Sequence, residues 1–450
     1  MSTREPVNAV ILAAGKGTRM RSDLPKVLHP LAGRPMLLHV LATLTPLSPA
    51  RQVVVIAKGA AEVAAAVSPV QTLVQDPPLG TGHALMSAMS ALDGAAGTVL
   101  VLFGDCPLMT EATLMRLVTA REGGAAVAVL GFRPEDPAQY GRLVCDSTGA
   151  LLRIVEFKDA GESERAIGLC NGGVMALAAA HLPALIAKLD NKNAQGEYYL
   201  TDLVAHARAA GLSCAVVEGT ADEVLGVNSR AELAVAEAIV QDRMRTRAME
   251  EGATLIDPQS IYFSHDTKLG RDVTIGPNVV FGPGVSVADR VNIKPFCHIE
   301  GAAIETGAII GPFARLRPGA SVGENAHVGN FVELKNTRLD AGAKANHLTY
   351  LGDATVGPGA NIGAGTITCN YDGFDKFKTD IGAGAFIGSN SALVAPVRIG
   401  SGAYIGSGSV VTDDVPDDAL ALGRGRQVER AGWAAAFRAR KRAEREKKRG

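Results

Sequence analysis

Cysteine is scarce in this sequence, and the cysteines that occur stand far apart. There are six in 450 residues, and none of them forms a C-x-x-C pair. Paired spacings mark zinc ribbons and redox motifs, and a disulfide framework needs a denser set of cysteines in a smaller chain. The scatter therefore argues against a zinc ribbon and a disulfide scaffold, and it suits a reducing cytoplasm.

An excess of charge of one sign and long apolar runs are also lacking. The chain has 45 Lys and Arg against 46 Asp and Glu, so no overall field would recruit nucleic acid. It contains no run of about 18 apolar residues that could span a bilayer. The opening residues MSTREP lack the basic and apolar regions of a signal peptide. We therefore expect a cytoplasmic protein with no membrane insertion and no nucleic-acid partner.

Basic residues do concentrate at one place, the C-terminal stretch RARKRAEREKKRG, which has eight Lys or Arg between Arg438 and Arg449. Such a run is typical of a solvated, poorly ordered tail, although it would also suit binding of an anion. Aromatic residues are not interleaved with the charges, which argues against a nucleic-acid-binding module. A poorly ordered tail and an anion-binding segment both remain open.

In the first 228 residues, short apolar runs alternate with stretches of helical spacing. This alternation predicts crossover units and a mostly parallel sheet, which is a Rossmann-like α/β domain. Ligands bind such sheets beyond the carboxyl ends of the strands. The apolar runs are NAVILAA, QVVVIA, TLVQ, TVLVLFGD and AAVAVLGF, and GHALMSAMSAL is one of the helical stretches.

The loop after the first run, LAAGKGTRM, contains two glycines and a lysine but fits neither of the common phosphate-binding templates. A P-loop requires Lys followed by Ser or Thr after its last glycine, whereas Lys16 lies between the glycines. The dinucleotide fingerprint requires a third glycine where Met20 stands. The pattern predicts a phosphate loop of another kind.

Residues 229–251 differ from what precedes and follows them, and they predict one helix that connects two domains. Ser229 and Glu232 have the spacing of a capping box, and Gly252 can end the helix. We therefore expect domains at 1–228 and 252–450, joined by this helix.

From about residue 253 to 423 an aliphatic residue followed by glycine recurs with a period of six, as in LGRDVTIGPNVVFG. A hexapeptide period is the signature of a parallel β-helix, whose coils bury their interiors against one another. The low aromatic content of 4% and the 51 glycines suit a narrow, uniform core. Two segments, KNTRLDAGAKANHLTYLGD and TITCNYDGFDKFKTDIG, break the period and are predicted as loops on the binding face.

In the first half, LAAGKGTRM followed by LPKVL resembles the signature of the sugar-nucleotide pyrophosphorylases. Backbone amides of such a loop can wrap a triphosphate, and Arg19 and Lys26 would supply the positive charge that departure of pyrophosphate requires. The resemblance also implies that Asp105 and Asn228 hold Mg²⁺ between the phosphates, because hard cations prefer oxygen ligands. Without it, Asp105 at the end of a strand could equally be a helix cap.

The same resemblance implies further contacts to UTP or UDP-N-acetylglucosamine. Each of these residues taken alone would be an ordinary turn or surface position, and Phe103 offers no polar group. They are Leu12, Ala13, Ala14, Gly15, Gln75, Gly80, Thr81, Phe103, Gly104, Gly141, Glu156 and Asn171.

Across both halves the sequence resembles the bacterial family of bifunctional enzymes that make UDP-N-acetylglucosamine. IGPFARLRPGA, GNFVELKN, NHLTYLGDA, NIGAGTITCNYDG and KFKTDIG carry the resemblance in the second half. It implies a left-handed β-helix that transfers an acetyl group from acetyl-CoA to glucosamine 1-phosphate. It also implies a homotrimer with acetyl-CoA between neighbours, and Mg²⁺-dependent uridylyl transfer from UTP to N-acetylglucosamine 1-phosphate in the first half.

Acetyl transfer to an amine needs a base, because an ammonium group cannot attack a thioester. His347 in NHLTY is the candidate, since imidazole titrates near neutral pH, and Glu333 would orient it. By resemblance, the sugar-phosphate positions are Arg317, Lys335, Tyr350, Asn361 and Lys376. The acetyl-CoA positions are Ala364, Asn370, Tyr371, Ser389, Ser407 and Arg424.

Two other functions are compatible with a β-helix of this kind. A pyrophosphorylase could use its β-helix only as a scaffold, which would leave His347 without a role. A metal-dependent hydratase could bind zinc through histidines, but His298, His327 and His347 include no close pair. The segments NHLTY and CNYDG favour the bifunctional enzyme, because a scaffold would not need them.

Overall fold

A computed structural model describes residues 5–15 and 17–448 of the chain. They form two compact units. The first unit runs to Arg247 and includes Phe263–His265, and the second comprises Ala248–Tyr262 and the chain from Asp266 onward. Lys16 of the glycine-rich loop and Arg449 of the basic terminus lie outside the described residues.

The first unit is built on a nine-stranded sheet, with one two-stranded ribbon beside it. Along the main path of the sheet the strand order is β11-β7-β10-β6-β1-β4-β5, and β8 and β9 pair at the side of β10. The ribbon is β2 with β3. The strands are β1 Val7–Ala13, β2 Pro30–Leu31, β3 Arg34–Pro35, β4 Arg51–Ala57, β5 Gln71–Gln75, β6 Thr98–Phe103, β7 Val127–Phe132, β8 Arg142–Cys145, β9 Leu151–Val155, β10 Cys170–Ala178 and β11 Cys214–Glu218.

This sheet confirms the prediction of a mostly parallel, Rossmann-like fold. Strand β1 pairs in parallel with both β4 and β6, while β10 runs antiparallel to β6 and β7. Every residue of β1 and of β7 is buried, as expected for strands covered on both faces by helices. The five apolar runs identified in the sequence all lie in strands of this sheet.

Helices α1 to α7 belong to the first unit with the sheet, the long helix α8 follows them, and α9 lies in the second unit. The α-helices are α1 Met36–Leu44, α2 Ala61–Val67, α3 Thr81–Ser87, α4 Glu111–Glu122, α5 Glu162–Arg165, α6 Leu182–Ile186, α7 Asp202–Ala209, α8 Arg230–Glu250 and α9 Trp433–Lys447. Short 3₁₀ turns lie at Thr18–Met20, Lys26–Leu28, Thr45–Leu47, Met89–Leu92 and Pro258–Ser260.

The cap expected at the start of α8 is present. Ser229 Oγ accepts from the backbone N–H of Glu232 at 3.3 Å, and the Glu232 carboxylate accepts from the backbone N–H of Asn228 at 2.8 Å. The carboxylate thus reaches one residue further back than in a standard capping box. Gly252, with φ of +104°, follows the end of the helix. The cap therefore fixes the backbone of Asn228.

The second unit is a parallel β-helix with three faces, as the period of six predicted. On the first face the strands are Thr254–Leu255, Thr274–Ile275, Asn292–Ile293, Ile309–Ile310, His327–Asn330, Lys344–His347, Asn361–Ile362, Phe386–Ile387, Tyr404–Ile405 and Leu420–Ala421. The second face has Val280–Phe281, His298–Ile299, Arg315–Leu316, Ile367–Cys369, Ala392–Val394 and Val410–Val411. The third has Lys268–Leu269, Ser286–Val287, Ala302–Ile304, Ala320–Val322, Thr379–Ile381 and Val397–Ile399.

Two longer strands, Glu333–Leu339 and Tyr350–Val356, run around a corner and belong to both the second and the third face. Across all three faces the aliphatic member of each hexad points inward, for example Ile293, Ile310 and Val328 on successive coils of the first face. Full burial of such a side chain is worth about 1.5–3 kcal/mol relative to exposure. The repeated aliphatic residues therefore hold the stack together.

Only one of the two segments predicted as loops leaves the β-helix. The prediction was wrong for KNTRLDAGAKANHLTYLGD, because this segment stays in the coils. The first-face strands beginning at His327, Lys344 and Asn361 follow one another at intervals of 17 residues, which completes one turn. In the second segment the chain does leave the coil. There Tyr371 and Lys376 form an isolated antiparallel bridge, and Phe374 between them is 92% exposed.

The basic terminus is helical where the structure describes it. Helix α9 carries most of the basic residues, and each of its residues is exposed. Full exposure agrees with the solvated stretch that the sequence predicted, and both its order and a role in anion binding stay predictions. Among the described residues, no helix combines the length and apolar character needed to cross a membrane.

Candidate active sites

The ammonium group of Lys26 is the centre of the candidate site in the first unit. Its Nζ lies 2.5 Å from Oδ2 of Asp105 and 2.9 Å from Oδ1 of Asn228. Lys26 is buried in a 3₁₀ turn, Asp105 follows strand β6, and Asn228 precedes α8. Three segments distant in the sequence therefore bring one lysine and two oxygen ligands together at the carboxyl end of the sheet.

The contacts of Lys26 also test whether this position suits a metal ion. Oδ2 of Asp105 and Oδ1 of Asn228 converge on one cation, which here is the lysine ammonium. Carboxylate and amide oxygens are the ligands that Mg²⁺ prefers, and it commonly takes only one or two protein ligands beside substrate phosphates. The two residues expected to hold Mg²⁺ therefore fit it.

A cavity of about 340 Å³ opens beside Lys26. Its lining comprises ten of the residues expected to bind the nucleotide, together with four that sequence reasoning missed. The expected residues are Leu12, Ala13, Ala14, Gly15, Lys26, Gln75, Gly80, Thr81, Phe103 and Asp105. The others are Val27, Pro78, Ala84 and Glu197. Glu197 had no signal in the sequence, because it reaches the cavity from a loop more than 100 residues after Gly80.

The segment at Gly80 is shaped by close contact with the chain at Tyr198. The N–H of Tyr198 donates to the Leu79 carbonyl at 2.8 Å, and a Cβ at Gly80 would lie only 2.7 Å from the Tyr198 carbonyl oxygen. With its φ of +104°, position 80 therefore requires glycine. The Gln75 side chain donates to the Gly80 carbonyl at 2.9 Å, which ties this segment to the end of β5.

The three residues expected at the sugar form a second group. The backbone N–H of Asn171 donates to the Gly141 carbonyl at 2.8 Å, and a Cβ at Gly141 would lie 3.4 Å from Oε2 of Glu156. Burial raises the pKa of Glu156, and a hydrogen bond from the Thr201 hydroxyl offsets part of that effect. The ring of Phe103, which lines the cavity, lies against Gly173 beside this group.

Two expected residues of the first unit, Gly104 and Arg19, do not line the cavity beside Lys26. Gly104 lies behind the cavity, where its N–H donates to the Leu12 carbonyl and a Cβ would meet Leu37 at 3.1 Å. Its role is therefore to allow close packing at the end of β6. Arg19 is exposed in the turn Thr18–Met20 that follows the glycine-rich loop.

Arg142 holds the loop that carries Gly141, and its replacement by alanine is expected to weaken sugar binding. Its guanidinium is 2% exposed and donates to the carbonyl oxygens of Ala138, Tyr140 and Arg165. Hydrogen bonds from charged groups are worth about 1.5–3 kcal/mol each, so KM for the sugar phosphate should rise about tenfold or more. Steady-state kinetics measure this. Arg133→Ala, which removes an exposed pairing with Glu218, is the matched control and should leave KM unchanged.

In the second unit, three of the six residues expected to bind acetyl-CoA, Ala364, Ser389 and Ser407, occupy one corner of the β-helix. Each coil contributes one residue to this corner. The backbone N–H of the next residue in the sequence donates to the carbonyl of the corner residue on the preceding coil, for example Leu348 N–H to the Asn330 carbonyl, at 2.7–3.3 Å. We call this series the corner ladder. In order it consists of Asn330, His347, Ala364, Ser389 and Ser407.

The corner ladder ends at Arg424. The Arg424 guanidinium donates to the Ser407 carbonyl at 2.7 Å and lines a cavity of about 420 Å³. Neighbouring strands lie about 4.8 Å apart, so His347 and Ser407 are separated by about 14 Å along the ladder. The ladder therefore offers an extended track with an imidazole near one end and a guanidinium at the other.

His347 has a different partner from the one expected. Nδ1 of His347 lies 2.6 Å from Oδ1 of Asn330. Glu333 was expected to orient the ring, but its carboxylate accepts from the Arg317 guanidinium at 2.8 Å. A charged guanidinium is the stronger partner for a carboxylate, so Glu333 positions Arg317.

The basic residues expected to bind the sugar phosphate cluster around Tyr350, three residues after His347. The ammonium of Lys335 lies against that of Lys376 and lowers the pKa of Lys376. The pKa of Arg317 is raised by its hydrogen bond to Glu333, so it remains a cation. Two cations in contact favour a bound anion, because a phosphate removes their mutual repulsion.

Asn370 and Tyr350 meet around Gly352. A Cβ at Gly352 would lie 2.4 Å from the Tyr350 hydroxyl and 2.7 Å from Nδ2 of Asn370. The Asn370 amide donates to Oδ2 of Asp353 at 2.5 Å. Glycine at 352 therefore leaves the space that both side chains occupy.

The remaining expected residues are Tyr371, in a loop, and Asn361, on the first face. Tyr371 is exposed in the loop that leaves the coil, where its hydroxyl donates to the Gly373 carbonyl at 2.6 Å. Asn361 is the first-face neighbour of Lys344, on the coil after His347.

Comparison with known proteins extends over both units. Residues 9–251 match the family model of the MobA-like NTP transferase domain. Residues 266–301 and 378–413 match the bacterial transferase hexapeptide (six repeats) model.

Curated relatives align along almost the entire chain. A relative from Paramagnetospirillum magneticum is 59% identical over 441 residues, which cover 98% of each chain. One from Rhodospirillum rubrum is 62% identical over 433 residues, covering 96% of this chain and 97% of the relative. Both are named bifunctional protein GlmU. With identity at this level across both units, the chain belongs to the GlmU family of bifunctional proteins.

Proposed function

We propose that this protein makes UDP-N-acetylglucosamine in two reactions, one in each unit. The β-helix transfers an acetyl group from acetyl-CoA to glucosamine 1-phosphate. The first unit then transfers a uridylyl group from UTP to N-acetylglucosamine 1-phosphate and releases pyrophosphate. Membership of the GlmU family supports both activities. The side chains along the corner ladder carry the acetyltransferase assignment, because a β-helix that served only as a scaffold would need neither an imidazole near one end nor a guanidinium at the other.

In acetyl transfer, His347 is the general base. Nε2 takes a proton from the amine of glucosamine 1-phosphate, whose nitrogen then attacks the thioester carbonyl carbon. The C–N bond forms, the C–S bond breaks, and the imidazolium of His347 gives its proton to the sulfur, so that CoA leaves as a thiol. Acetyl-CoA lies along the corner ladder, and Arg424 pairs with its phosphates. Asn370 and Tyr371 also contact acetyl-CoA.

Glucosamine 1-phosphate is held by the basic group near His347. Lys335 and Lys376 bind the phosphate between them, and Arg317, fixed by Glu333, adds a planar donor. Tyr350 and Asn361 contact the sugar. Because the phosphate is held at fixed distance from His347, the amine is presented to the base without a large entropic cost.

In uridylyl transfer, an oxygen of the sugar phosphate displaces pyrophosphate from the α-phosphorus of UTP in line, without a covalent enzyme intermediate. The residues from Leu12 to Gly15 wrap the phosphates, while Lys26 and Arg19 offset the negative charge that develops on the leaving group. Asp105 and Asn228 would hold Mg²⁺, which would supply neutralisation of the phosphate charge. Gln75, Gly80 and Thr81 contact the base.

A homotrimer is the expected assembly, and an exposed apolar stripe beside the corner ladder supports it. Phe296, Phe313 and Phe331 stack on successive coils, with ring centroids 4.9 and 5.1 Å apart. Each of the three is about half exposed, and Leu348 continues the stripe at 60% exposed. Exposed apolar stripes of this kind mark interaction sites. A neighbouring copy packed here would enclose acetyl-CoA. We also propose that the enzyme acts in the cytoplasm, which its scattered cysteines suit.

The proposed function is tested by measuring thiol release and pyrophosphate release separately on the purified protein. With glucosamine 1-phosphate, acetyl-CoA, UTP and Mg²⁺ present, both products are expected. With N-acetylglucosamine 1-phosphate supplied directly, pyrophosphate release should not require acetyl-CoA. Pyrophosphate release without any thiol release would reduce the β-helix to a scaffold.

Removal of divalent ions is expected to separate the two activities. EDTA should abolish pyrophosphate release, because the charge on the triphosphate would no longer be neutralised by Mg²⁺ at Asp105 and Asn228. Thiol release should continue at its original rate, since the corner ladder and its basic group work without a metal. The two product assays measure this, and added Mg²⁺ should restore pyrophosphate release. Equal loss of both products would contradict the assignment.

A further inference from the structure

The imidazole of His347 is held on one side by a residue that has no part in the reactions above. Asn330 precedes His347 on the corner ladder, and the two are register partners on the neighbouring strands His327–Asn330 and Lys344–His347. Oδ1 of Asn330 lies 2.6 Å from Nδ1 of His347. The contact is thus built into two strands of the coil.

The chemistry of this contact decides which ring nitrogen carries the proton. An amide oxygen can only accept a hydrogen bond, so Nδ1 of His347 must be the donor. In a neutral imidazole with its proton on Nδ1, the lone pair is on Nε2. We propose that Asn330 is a positioning residue for acetyl transfer, which fixes this tautomer of His347 and leaves Nε2 free to accept the proton of the amine. The inference rests on the proposed acetyltransferase function of the β-helix.

The orientation of the ring follows from the same bond. His347 is exposed, and its neighbours along the corner ladder are Asn330 on one side and Ala364 on the other. Ala364 has no polar side chain that could hold the ring. The Asn330 amide is therefore the contact that limits rotation of the imidazole, and its loss should lower the fraction of His347 in the reactive orientation.

Two replacements of Asn330 separate positioning from a merely structural role. Asn330→Ala removes the acceptor, and kcat for thiol release should fall about tenfold, as expected for one lost hydrogen bond, with little change in KM for glucosamine 1-phosphate. Asn330→Asp keeps an acceptor, so it should retain activity at alkaline pH. Its carboxylate favours the imidazolium, so the acid side of the pH–rate profile should move upward by about one pH unit.

The charges around the pair are the same in every variant. Lys344 begins the strand of His347, His327 begins the strand of Asn330, and Lys294 on an earlier coil acts on His327 together with Lys344. Since these groups are unchanged, a shift in the pH profile is assigned to position 330. Asn292→Ala, on an exposed position of the same face, is the matched control and should behave as wild type.

A measurement without acetyl transfer completes the test. Diethyl pyrocarbonate modifies neutral imidazole, so the pH dependence of His347 modification, followed by peptide mass spectrometry on the full chain, reports its protonation. Asn330→Asp should slow modification at neutral pH. Pyrophosphate release from supplied N-acetylglucosamine 1-phosphate should be normal in each variant, which shows that the chain is folded.

Wild-type kcat and pH profile in Asn330→Ala, or an unchanged pH dependence of both reactions in Asn330→Asp, would overturn the positioning role. Different results would overturn the proposed function itself. They are absence of thiol release from the wild-type protein, or full thiol release by His347→Ala.

Discussion

Replacing His347 by alanine is expected to lower thiol release from acetyl-CoA by about 10²–10⁴-fold, which is the usual contribution of a general base. Without the imidazole, the proton that the amine loses must pass to water, which is a weaker base than imidazole. Pyrophosphate release from supplied N-acetylglucosamine 1-phosphate should be unchanged, because its residues lie in the other unit. The two product assays measure both rates on one preparation.

The control for this prediction is another histidine of the β-helix. His298 is exposed on the second face, whereas His347 is on the first. His298→Ala should therefore keep thiol release at the wild-type rate. If His347→Ala were as active as the wild type, the acetyltransferase mechanism would have to be assigned to other residues.

Replacing Asp105 by alanine is expected to affect the other activity, lowering pyrophosphate release and leaving thiol release intact. Pyrophosphate release should fall by at least about 10²-fold, the scale on which single electrostatic contacts to a transition state act. Two losses combine here. The carboxylate can no longer serve as a metal ligand, and the buried ammonium of Lys26 loses its partner 2.5 Å away. Thiol release should be unaffected.

Two further variants show which loss dominates. Asp105→Asn keeps an oxygen for Lys26 but removes the charge, so its activity should fall between those of the wild type and Asp105→Ala. Asp93→Ala changes an exposed aspartate in the same unit and should have no effect. The affinity for Mn²⁺, measured by calorimetry with and without UTP, gives a readout besides activity. Unchanged metal affinity in Asp105→Ala would remove Asp105 from the metal site.

Local patterns were sufficient to predict the elements that hold the active-site residues. Strand β1 and the phosphate loop after it follow from a buried apolar run and two glycines, and the start of α8 follows from Ser229 and Glu232. These features depend on interactions within a few residues. The resemblance predicted ten residues of the cavity beside Lys26. It could do so because a motif with the same spacing places the same residues in the loops at the strand ends.

Contacts between distant segments could not be predicted in this way. Glu197 reaches the cavity beside Lys26 because its loop packs against Gly80, and no local pattern marks it. Glu333 and Asn330 both precede His347 by about one coil, but the geometry of the coil places Asn330 at Nδ1 and Arg317 at Glu333. The period alone does not say which side chains meet at a corner.

The sequence by itself determined that this protein has an α/β unit followed by a β-helix, and that its residues match one bifunctional family. Periods of apolar residues and glycine spacings are local, so they can be identified without coordinates. Only the tertiary structure shows that residues 335–353 remain within the coils. The reason is that a coil of 17 residues completes one turn of the β-helix even where the period of six is broken. The tertiary structure also decided the partner of His347, because stacking of coils brings residues 17 positions apart into direct contact.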